Sequence, residues 1–500
     1  MVPLRSAIFS QMLIGASEDY SAAQQCSIDD PRQQLLELEC EISRVEALLA
    51  KLVQRRVPLK RKINRRFAPM LSLPVELCSE IFTTCFPPTW DTEGTCSPLI
   101  LGQVCTAWRN LAWSMPWLWN NVFLSSTRPT PAHVELLEEW IARSANLPLS
   151  IHLRLKIENA DVDMRDVTHL MDAVARCSKR WRTINFEVPF FFPADPYVSN
   201  LIPTKFPILT SAAIQVEHVR TPLNLFIDAP QLQDVQLIGF PRNSFDLPWD
   251  HITRLRLNPT TVQQCLELLG TAPNLIHCIF ENITRSDVVN PTPILAPSLQ
   301  SLEVISFTHT PISELLDTLR IPNVLDLSFH VTGNTFPHWS FISLMVRSSC
   351  VLQRLSLNAV RISEWQLWEC LEAVPSLLSL RLINIDRLSN DTIRVLNPQN
   401  HTMLGSQKYL LPMLQELVYT GALEINFLAM ANTLYSRWMG VGASVSTPSA
   451  DNVAQLQSFK FTTSAPAVFG TDEKVQLGHM QQLVKEGMDI SLVTREGAWV

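Results

Sequence analysis

The sequence predicts an α/β repeat protein, in which a solenoid of strands and helices follows a short all-α bundle and an N-terminal heptad helix. Three observations support this prediction. The chain has 500 residues, which exceeds the roughly 250–300 residues at which a single core stops growing. A strand-like phrase recurs at a nearly constant interval over the C-terminal two thirds of the chain. Near the N-terminus, apolar residues recur at alternating intervals of three and four.

Composition narrows the class of protein. The chain is 46% hydrophobic and 17% charged, so most of it should fold. The formal net charge of −7 argues against nucleic acid as the main partner. No apolar run reaches the roughly 18 residues of a membrane helix. The 11 cysteines form no CxxC pair and no cluster with zinc-ligand spacing. We therefore expect a reduced protein of the cytoplasm, the nucleus or both, without a metal or other cofactor.

The N-terminal part divides into a tail, a helix and a basic linker. Residues 1–29 are expected to be a disordered tail, with a degenerate signal peptide as the alternative. Residues 30–57 predict a helix, because Asp30 can cap it, Pro31 suits its first turn and Pro58 disfavours helix at Val57. Residues 58–68 are expected to be a basic linker, either a solvated charge run or a nuclear-import signal.

Within this helix, six apolar residues form the a and d positions of nearly three heptads. They are Leu35, Leu38, Ile42, Val45, Leu49 and Leu52. This pattern is typical of a coiled coil that joins two copies of the chain. It is equally compatible with an amphipathic helix packed on its own protein.

Residues 69–124 predict two short helical units separated by a Pro- and Thr-rich loop at 87–98. Pro74 suits the first turn of the first unit, where Leu77, Ile81 and Cys85 recur at intervals of four. Five of the 13 Trp residues of the chain fall between positions 90 and 119. Short helices cannot bury that much aromatic surface among themselves. It must therefore meet the rest of the chain or a partner.

Three blocks of this segment, LSLPVELCSEIF, QVCTAWRNLA and LWNNVFL, occur in the order typical of the F-box, which they resemble. The 87–98 insertion and Thr106 depart from the family pattern. The resemblance implies docking on a Skp-type adaptor and, through it, on a cullin-RING ubiquitin ligase. The implied adaptor-binding residues are Leu73, Pro74, Glu76, Leu77, Ile81, Phe82, Val104, Cys105, Trp108, Arg109, Leu118 and Trp119. Of these, Ile81, Val104 and Leu118 are expected to hold the helices together. Leu73, Pro74, Leu77 and Trp119 are the favoured contacts.

After a connecting helical segment at 125–146, residues 147–500 predict the repeat array. The phrase P-x-L-x-x-L-x-L, with conservative replacements, begins at Pro230, Pro273, Pro297, Pro322, Cys350, Pro375 and Pro412, and weaker copies begin at Lys179, Pro207, Asp250 and Ala454. Seven consecutive steps of 20–28 residues separate the copies from 207 to 375. That period is typical of leucine-rich repeats. Residues 147–155 should open the array, a helix and a strand near the C-terminus should close it, and segments 398–410 and 440–452 should protrude as loops.

The array departs from the usual leucine-rich pattern, because the Asn or Cys expected after the strand is replaced by Phe240, Val360 and Ile385. Together with the F-box, it resembles fungal F-box proteins of the basidiomycete type, which combine a heptad helix with divergent leucine-rich repeats. In such proteins the concave face of the repeats is expected to hold the substrate. The candidate positions are Gln236, Arg256, Glu303, Ser328, Ser356, Arg381 and Val418. Their alternative role is that of solvated strand residues.

The function implied by this resemblance is that of a non-catalytic substrate-recognition subunit of a Skp–cullin–F-box (SCF) ubiquitin ligase. No GxGxxG, P-loop, GxSxG or HExxH motif points to an enzyme. Its partners would be the adaptor and an unidentified protein substrate, with neither nucleic acid nor membrane. The alternative is an interaction scaffold of leucine-rich repeats that forms a homodimer through the heptad helix.

Overall fold

The computed structural model divides the chain into two compact units. The helical unit comprises Met1–Cys85 and Leu99–Ala112, and the repeat unit comprises Phe86–Pro98 and Trp113–Val500. The structure describes residues 31–67, 73–85, 98–156, 164–188, 205–216, 226–240, 245, 247–285, 293–332, 335–385, 389–399, 409–422, 426–439, 453–464, 471–495 and 497–498. The predicted tail, the 87–97 part of the insertion and most of the two predicted protruding loops lie outside these residues.

The helical unit contains a long helix followed by shorter ones. These are α1 (Pro31–Phe67), α2 (Val75–Cys85), α3 (Pro98–Val104) and α4 (Thr106–Trp113). Pro74 precedes α2 as predicted, and Glu76 lies in its first turn, where the helix dipole favours an acid. Phe82 of α2 meets Trp108 of α4 edge to face, with ring centroids 5.1 Å apart. This pair of rings joins α2 to α4.

Helix α1 is longer than the sequence indicated. It has 37 residues and continues through Pro58 to Phe67. The expected end by Val57 and the basic linker at 58–68 are therefore wrong. One proline costs a helix about 3 kcal/mol, and the Lys and Arg residues after it are good helix formers that suit a helix C-terminus. The six heptad side chains are 52–63% exposed. Their exposure favours the coiled-coil interpretation over packing on the chain itself.

The repeat unit is built on one sheet of 15 strands whose order follows the chain. All neighbouring strands are parallel except the last pair, which is antiparallel. The strands of this sheet and of two small ones are β1 (Asn121–Ser126), β2 (Leu149–Leu155), β3 (Trp181–Val188), β4 (Ser211–Val216), β5 (Asp234–Ile238), β6 (Arg254–Asn258), β7 (Thr260–Thr261), β8 (His277–Glu281), β9 (Ile283–Thr284), β10 (Ile294–Leu295), β11 (Ser301–Ser306), β12 (Leu319–Arg320), β13 (Asp326–Val331), β14 (Arg354–Asn358), β15 (Ser379–Ile385), β16 (Glu416–Gly421), β17 (Ser458–Thr463), β18 (Asp489–Thr494) and β19 (Gly497–Ala498). Strands β7 and β9 form one small sheet, and β10 and β12 form the other.

Helices connect many of these strands. They are α5 (Pro131–Arg143), α6 (Met164–Arg176), α7 (Val262–Thr271), α8 (Thr310–Thr318), α9 (His338–Ser348), α10 (Glu364–Glu372), α11 (Asn390–Val395), α12 (Phe427–Met439) and α13 (Thr471–Lys485), with 3₁₀ turns at Pro116–Trp119 and Ser178–Arg180. Successive helices from α7 to α10 and from α11 to α13 pack side by side. Alternate strand residues, such as Leu355 and Leu357 of β14, are buried together with helix residues such as Leu367. The core is therefore shared between neighbouring repeats, as in a solenoid.

The predicted repeat strands are confirmed. Each of the eleven phrases, including the weaker ones, contains one strand of the large sheet, from β3 to β17. Helices α7, α8 and α10 lie between successive strands of the large sheet, and α13 followed by β18 lies near the C-terminus as expected.

The predicted start of the array is wrong. Strand β1, assigned by sequence to the end of the F-box, is the first strand of the large sheet and pairs with β2. Val122 and Leu124 are buried on alternate positions of β1. Helix α5, predicted as a connecting segment, follows β1 as the first helix of the array. Two buried residues gave too weak a period-2 signal to separate β1 from the helices before it.

Three repeats leave the sheet in the same way. At the end of each strand or just after it, a residue with positive φ precedes a buried apolar residue, at Gly239–Phe240, Ala359–Val360 and Asn384–Ile385. These apolar residues occupy the places where the usual repeat has Asn or Cys. An apolar side chain there joins the core, whereas a buried Asn would need hydrogen-bond partners.

Candidate protein-binding surfaces

The first candidate surface is apolar and lies on α2 and α3. Leu73, Leu77 and Ile81 are exposed, and Leu77 and Ile81 share one face of α2 because they are four residues apart. Val104, near the end of α3, is also exposed. The expectation that Ile81 and Val104 hold the helices together is therefore wrong. Pro74 and Glu76 are exposed beside them.

Other residues of the predicted set pack the helical unit instead. Phe82 is buried against Trp108, so its assignment as an adaptor contact is wrong. Cys105 and Trp108 are half-buried. Arg109 donates a hydrogen bond from Nε to the carbonyl oxygen of Gly102 over 2.8 Å, which ties α4 to α3. These contacts give the exposed residues of α2 a fixed support.

The assignment of Trp119 as a favoured adaptor contact is also wrong, whereas Leu118 is a packing residue, as expected. Both residues are buried in the repeat unit, where Trp119 is 1% exposed. Its ring centroid lies 5.1 Å from that of Trp113 and 5.2 Å from that of Trp140. The Arg143 guanidinium lies 4.4 Å from the Trp113 ring and 4.8 Å from the Trp119 ring. Part of the aromatic surface noted in the sequence thus meets α5, as a cation–π and aromatic cluster.

Sequence reasoning missed two further exposed apolar residues of α2 and α3. Val75 and Ile100 are exposed as well. Ile100 precedes Val104 by four residues on α3, and this spacing could have identified it as part of the same face.

The second candidate surface is the open face of the large sheet, defined as the strand positions that alternate with the buried ones. Strand register brings the predicted substrate residues into a single row across the sheet. The row runs Gln236, Arg256, Ile279, Glu303, Ser328, Ser356, Arg381, Val418 and Lys460. Sequence reasoning found seven of these residues and missed Ile279 and Lys460. They occupy the same position in the repeats whose phrases begin at Pro273 and Ala454.

Ion pairs between neighbouring strands cover much of the open face. Arg256 Nη2 lies 2.6 Å from Glu281 Oε1, and Arg381 Nη2 lies 3.2 Å from Glu416 Oε1. Further pairs join Arg254 to Asp234, Arg354 to Asp326, and Lys460 to Asp489. The open face therefore carries charges of both signs, most of them in pairs across neighbouring strands. Such a mixed surface suits a protein partner better than a polyanion, which needs a stripe of one sign.

Glu303 lies in a less polar part of this row, between Ile279 on β8 and Ser328 on β13. Burial raises the pKa of the Glu303 carboxyl, against an opposing effect of the Arg256 guanidinium. The negative charges of Glu281 and Asp326 raise this pKa further. The carboxyl group thus carries its charge at some cost to the folded state.

An open pocket of about 600 Å³ adjoins the start of α10. Thr335, Arg361, Trp365 and Trp368 are among the residues that line it, and Trp365 is exposed. Glu364 at its edge accepts hydrogen bonds from the backbone N–H of Ser389 and from the Thr392 hydroxyl. This carboxylate is therefore engaged in joining α10 to α11.

Two buried thiols of the repeat unit, those of Cys265 and Cys370, are poorly reactive. Burial raises the pKa of Cys265 and Cys370 to about 12, which keeps both thiols protonated and poorly nucleophilic at neutral pH. Among the described residues, no group of three His, Cys, Asp or Glu side chains is arranged to hold a metal ion. In the same part of the chain, no helix is both long and apolar enough to cross a membrane.

No protein-family model and no curated protein sequence matches the chain. Among solved structures, a protein from Bacteroides fragilis is 12% identical, over 56% of this chain and 83% of that protein, with a TM-score of 0.30. TLR13, in a complex with ssRNA13, is 11% identical, over 64% of this chain and 42% of TLR13, with a TM-score of 0.33. At these values the likenesses add nothing to what the strands and helices themselves indicate.

Proposed function

We propose that the chain is a non-catalytic substrate receptor of an SCF-type ubiquitin ligase. In this proposal the F-box-like segment of the helical unit binds a Skp-type adaptor. The repeat unit, as a divergent leucine-rich-repeat solenoid, binds the protein to be ubiquitinated through its open face.

One observation carries the adaptor-binding half of the proposal. The helices that contain the Leu-Pro-x-Glu-Leu and Val-Cys-x-x-Trp-Arg blocks expose two pairs of apolar side chains at intervals of four, Leu77 with Ile81 and Ile100 with Val104. Folded proteins tend to keep clustered apolar side chains away from water unless a partner covers them. The contact of Phe82 with Trp108 joins α2 to α4 and so fixes the helix that carries Leu77 and Ile81.

The substrate-binding half is supported by the repeat period and by the row of residues on the open face. Steps of 20–28 residues and a parallel sheet in chain order are both typical of leucine-rich repeats. Main-chain groups of the sheet are already paired with neighbouring strands, so recognition would depend on the side chains of the row. The row and the ion pairs beside it carry charges of both signs, which favours a partner with charges of both signs.

The adaptor-binding test uses the full-length chain and a purified Skp-type adaptor in a calorimetric titration. We expect Leu77→Ala to weaken binding by about 2–4 kcal/mol if Leu77 is a central anchor. Leu428→Ala is the matched control, because Leu428 is an exposed leucine on α12 of the repeat unit. It should bind the adaptor like the wild type.

Wild-type binding by Leu77→Ala and Ile81→Ala would show that α2 is not the docking surface. No binding by the intact, folded wild-type chain would refute the ligase proposal altogether. Both variants change exposed side chains, so their thermal unfolding should match that of the wild type and separate lost binding from lost folding.

A second candidate function is that of an interaction scaffold that has lost adaptor binding and dimerises through α1. The exposed heptad side chains favour it. The test is the mass of the full-length chain in solution, which should be twice 56.6 kDa. The double substitution Ile42→Asp and Leu49→Asp should reduce the measured mass to that of a single chain, because it buries charges in the dimer seam. A wild-type mass of one chain would remove this candidate.

A further inference from the structure

The heptad pattern of α1 continues beyond the six residues identified from sequence, because the helix continues through Pro58. With Leu35 at a and Leu38 at d, the next seam positions after Leu52 are Arg56, Leu59 and Ile63. Leu59 and Ile63 are exposed. The seam therefore spans four heptads, enough for a coiled coil to be favoured.

Charge is divided sharply along the same helix. The four acidic residues of α1 lie in its N-terminal half, at Glu37, Glu39, Glu41 and Glu46. Eight of its ten basic residues lie in the C-terminal half, at Lys51, Arg55, Arg56, Lys60, Arg61, Lys62, Arg65 and Arg66. The acidic N-terminal half of one copy therefore attracts the basic C-terminal half of another copy. Two N-terminal halves repel each other, and so do two C-terminal halves.

A parallel dimer places like charges together at the positions that flank the seam. In register, each g residue faces the e residue of the next heptad on the second copy. Glu41 then faces Glu46, and Arg55 faces Lys60. Arg56 would also meet its own copy inside the seam. The one favourable flanking contact would be Leu48 with Val53.

An antiparallel dimer reverses these contacts. With Leu49 packed opposite Leu52 of the second copy, e faces e and g faces g. Glu39 then faces Lys60, and Glu41 faces Lys62, twice each by symmetry. In the same register, apolar side chains meet in further seam layers. These are Leu38 with Ile63 and Ile42 with Leu59 of the second copy, while Arg56 faces Val45 and no longer meets its own copy.

From this charge complementarity we propose that α1 seats a second copy of the chain as an antiparallel coiled coil, with Leu49 opposite Leu52 of that copy. The two C-terminal ends of α1 lie about 50 Å apart along the axis of such a dimer, given 1.5 Å per helical residue. The helical segments that follow α1 would thus be presented at opposite ends. The inference rests on the proposed dimerisation through α1 and does not depend on adaptor binding.

The test is the dimer dissociation constant of the full-length chain, measured by sedimentation equilibrium. Glu41→Lys with Lys60→Glu in one chain puts like charges at all four flanking contacts of the antiparallel dimer. We expect the dissociation constant to rise by roughly tenfold or more, because each reversed pair changes sign. In a parallel dimer the same variant would create four attractions and lower the constant. The two arrangements therefore predict changes of opposite sign.

The matched control is Glu37→Lys with Lys51→Glu, which makes the same charge changes at outward-facing c positions. It should leave the dissociation constant near that of the wild type. Reversing all four charges (E39K/E41K/K60E/K62E) restores the attractive antiparallel contacts with the signs exchanged. This variant should dimerise like the wild type, which would show that the first variant does not act through misfolding. An unchanged or lower constant in the first variant, or a monomeric wild type, would overturn the proposal.

Discussion

The guanidinium of Arg437, on α12, donates a hydrogen bond from Nε to the carbonyl oxygen of Leu396, 2.7 Å away at the end of α11. Its Nη1 and Nη2 atoms donate to the carbonyl oxygens of Leu411 and Leu410 at 2.9 and 2.7 Å. Arg437 is fully buried, and burial lowers its pKa to about 10, so it remains charged at neutral pH. One side chain thus satisfies three carbonyls between successive repeats.

The same arrangement recurs elsewhere in the array. Arg347 of α9 donates to the carbonyl oxygens of Leu316 and Leu319 at the end of α8. Arg180 donates to the Leu147 carbonyl and to the Ser144 hydroxyl just after α5. The last carbonyls of a helix have no partner within it. An arginine from the next repeat supplies one and fixes the two repeats to each other.

Replacement of Arg437 by leucine should lower the free energy of unfolding by about 3–5 kcal/mol, because three buried carbonyls lose their donor. The measurement is the urea midpoint of the full-length chain. Arg394→Leu is the control, since Arg394 forms an exposed pair with Asp391 on α11 and such pairs contribute about 0–1 kcal/mol. Equal effects of the two substitutions would contradict a special role for Arg437.

Gly239 should tolerate no side chain. A Cβ atom there would lie 1.8 Å from the carbonyl oxygen of Val216, and its φ is +86°. We expect Gly239→Ala to lower the free energy of unfolding by about 2 kcal/mol or more. Gly478→Ala, in the interior of α13 with no atom within 4 Å of the added Cβ, should instead stabilise the chain by about 0.5–1 kcal/mol. Thermal unfolding of both variants would check the opposite signs.

Replacement of Trp119 by alanine should destabilise the fold, whereas replacement of Leu77 by alanine should hardly change its stability. Trp119→Ala empties a buried site between Trp113 and Trp140 and should lower the free energy of unfolding by about 3–5 kcal/mol. Leu77 is 46% exposed, so Leu77→Ala should change stability by only about 0.5 kcal/mol. Denaturation in urea tests both. A Trp119→Ala variant as stable as the wild type would restore that residue as a candidate contact.

Glu303 should make stability depend on pH. Because its folded pKa is raised above 4.5, the folded state holds its proton more tightly than the unfolded chain does. The stability that this group contributes is full below about pH 4.5 and is lost as pH rises through the folded pKa. Glu303→Gln should therefore gain stability relative to the wild type between pH 4 and pH 7. Glu135→Gln is the control, because it removes the same charge from an exposed side chain. The measurement is thermal unfolding of both variants at pH 4 and at pH 7.

The row of residues on the open face shows which features local sequence can predict and which it cannot. Residues between two buried apolar strand residues, such as Ser328 and Ser356, could be assigned to one face from the phrase alone, because strand side chains alternate. The ion pairs across that face could not be assigned. Arg256 meets Glu281, 25 positions away, only because register sets β6 beside β8.

The sequence by itself determined the repeat strands, the helices that alternate with them and the apolar seam of α1, because these follow from the periods of local burial. Only the tertiary structure decided that Trp119 is a core residue of the array, that Ile81 and Val104 face solvent, and that β1 opens the sheet. Each of these outcomes depends on which distant segment covers a side chain. That coverage is set by long-range packing, for which a short local pattern carries no information.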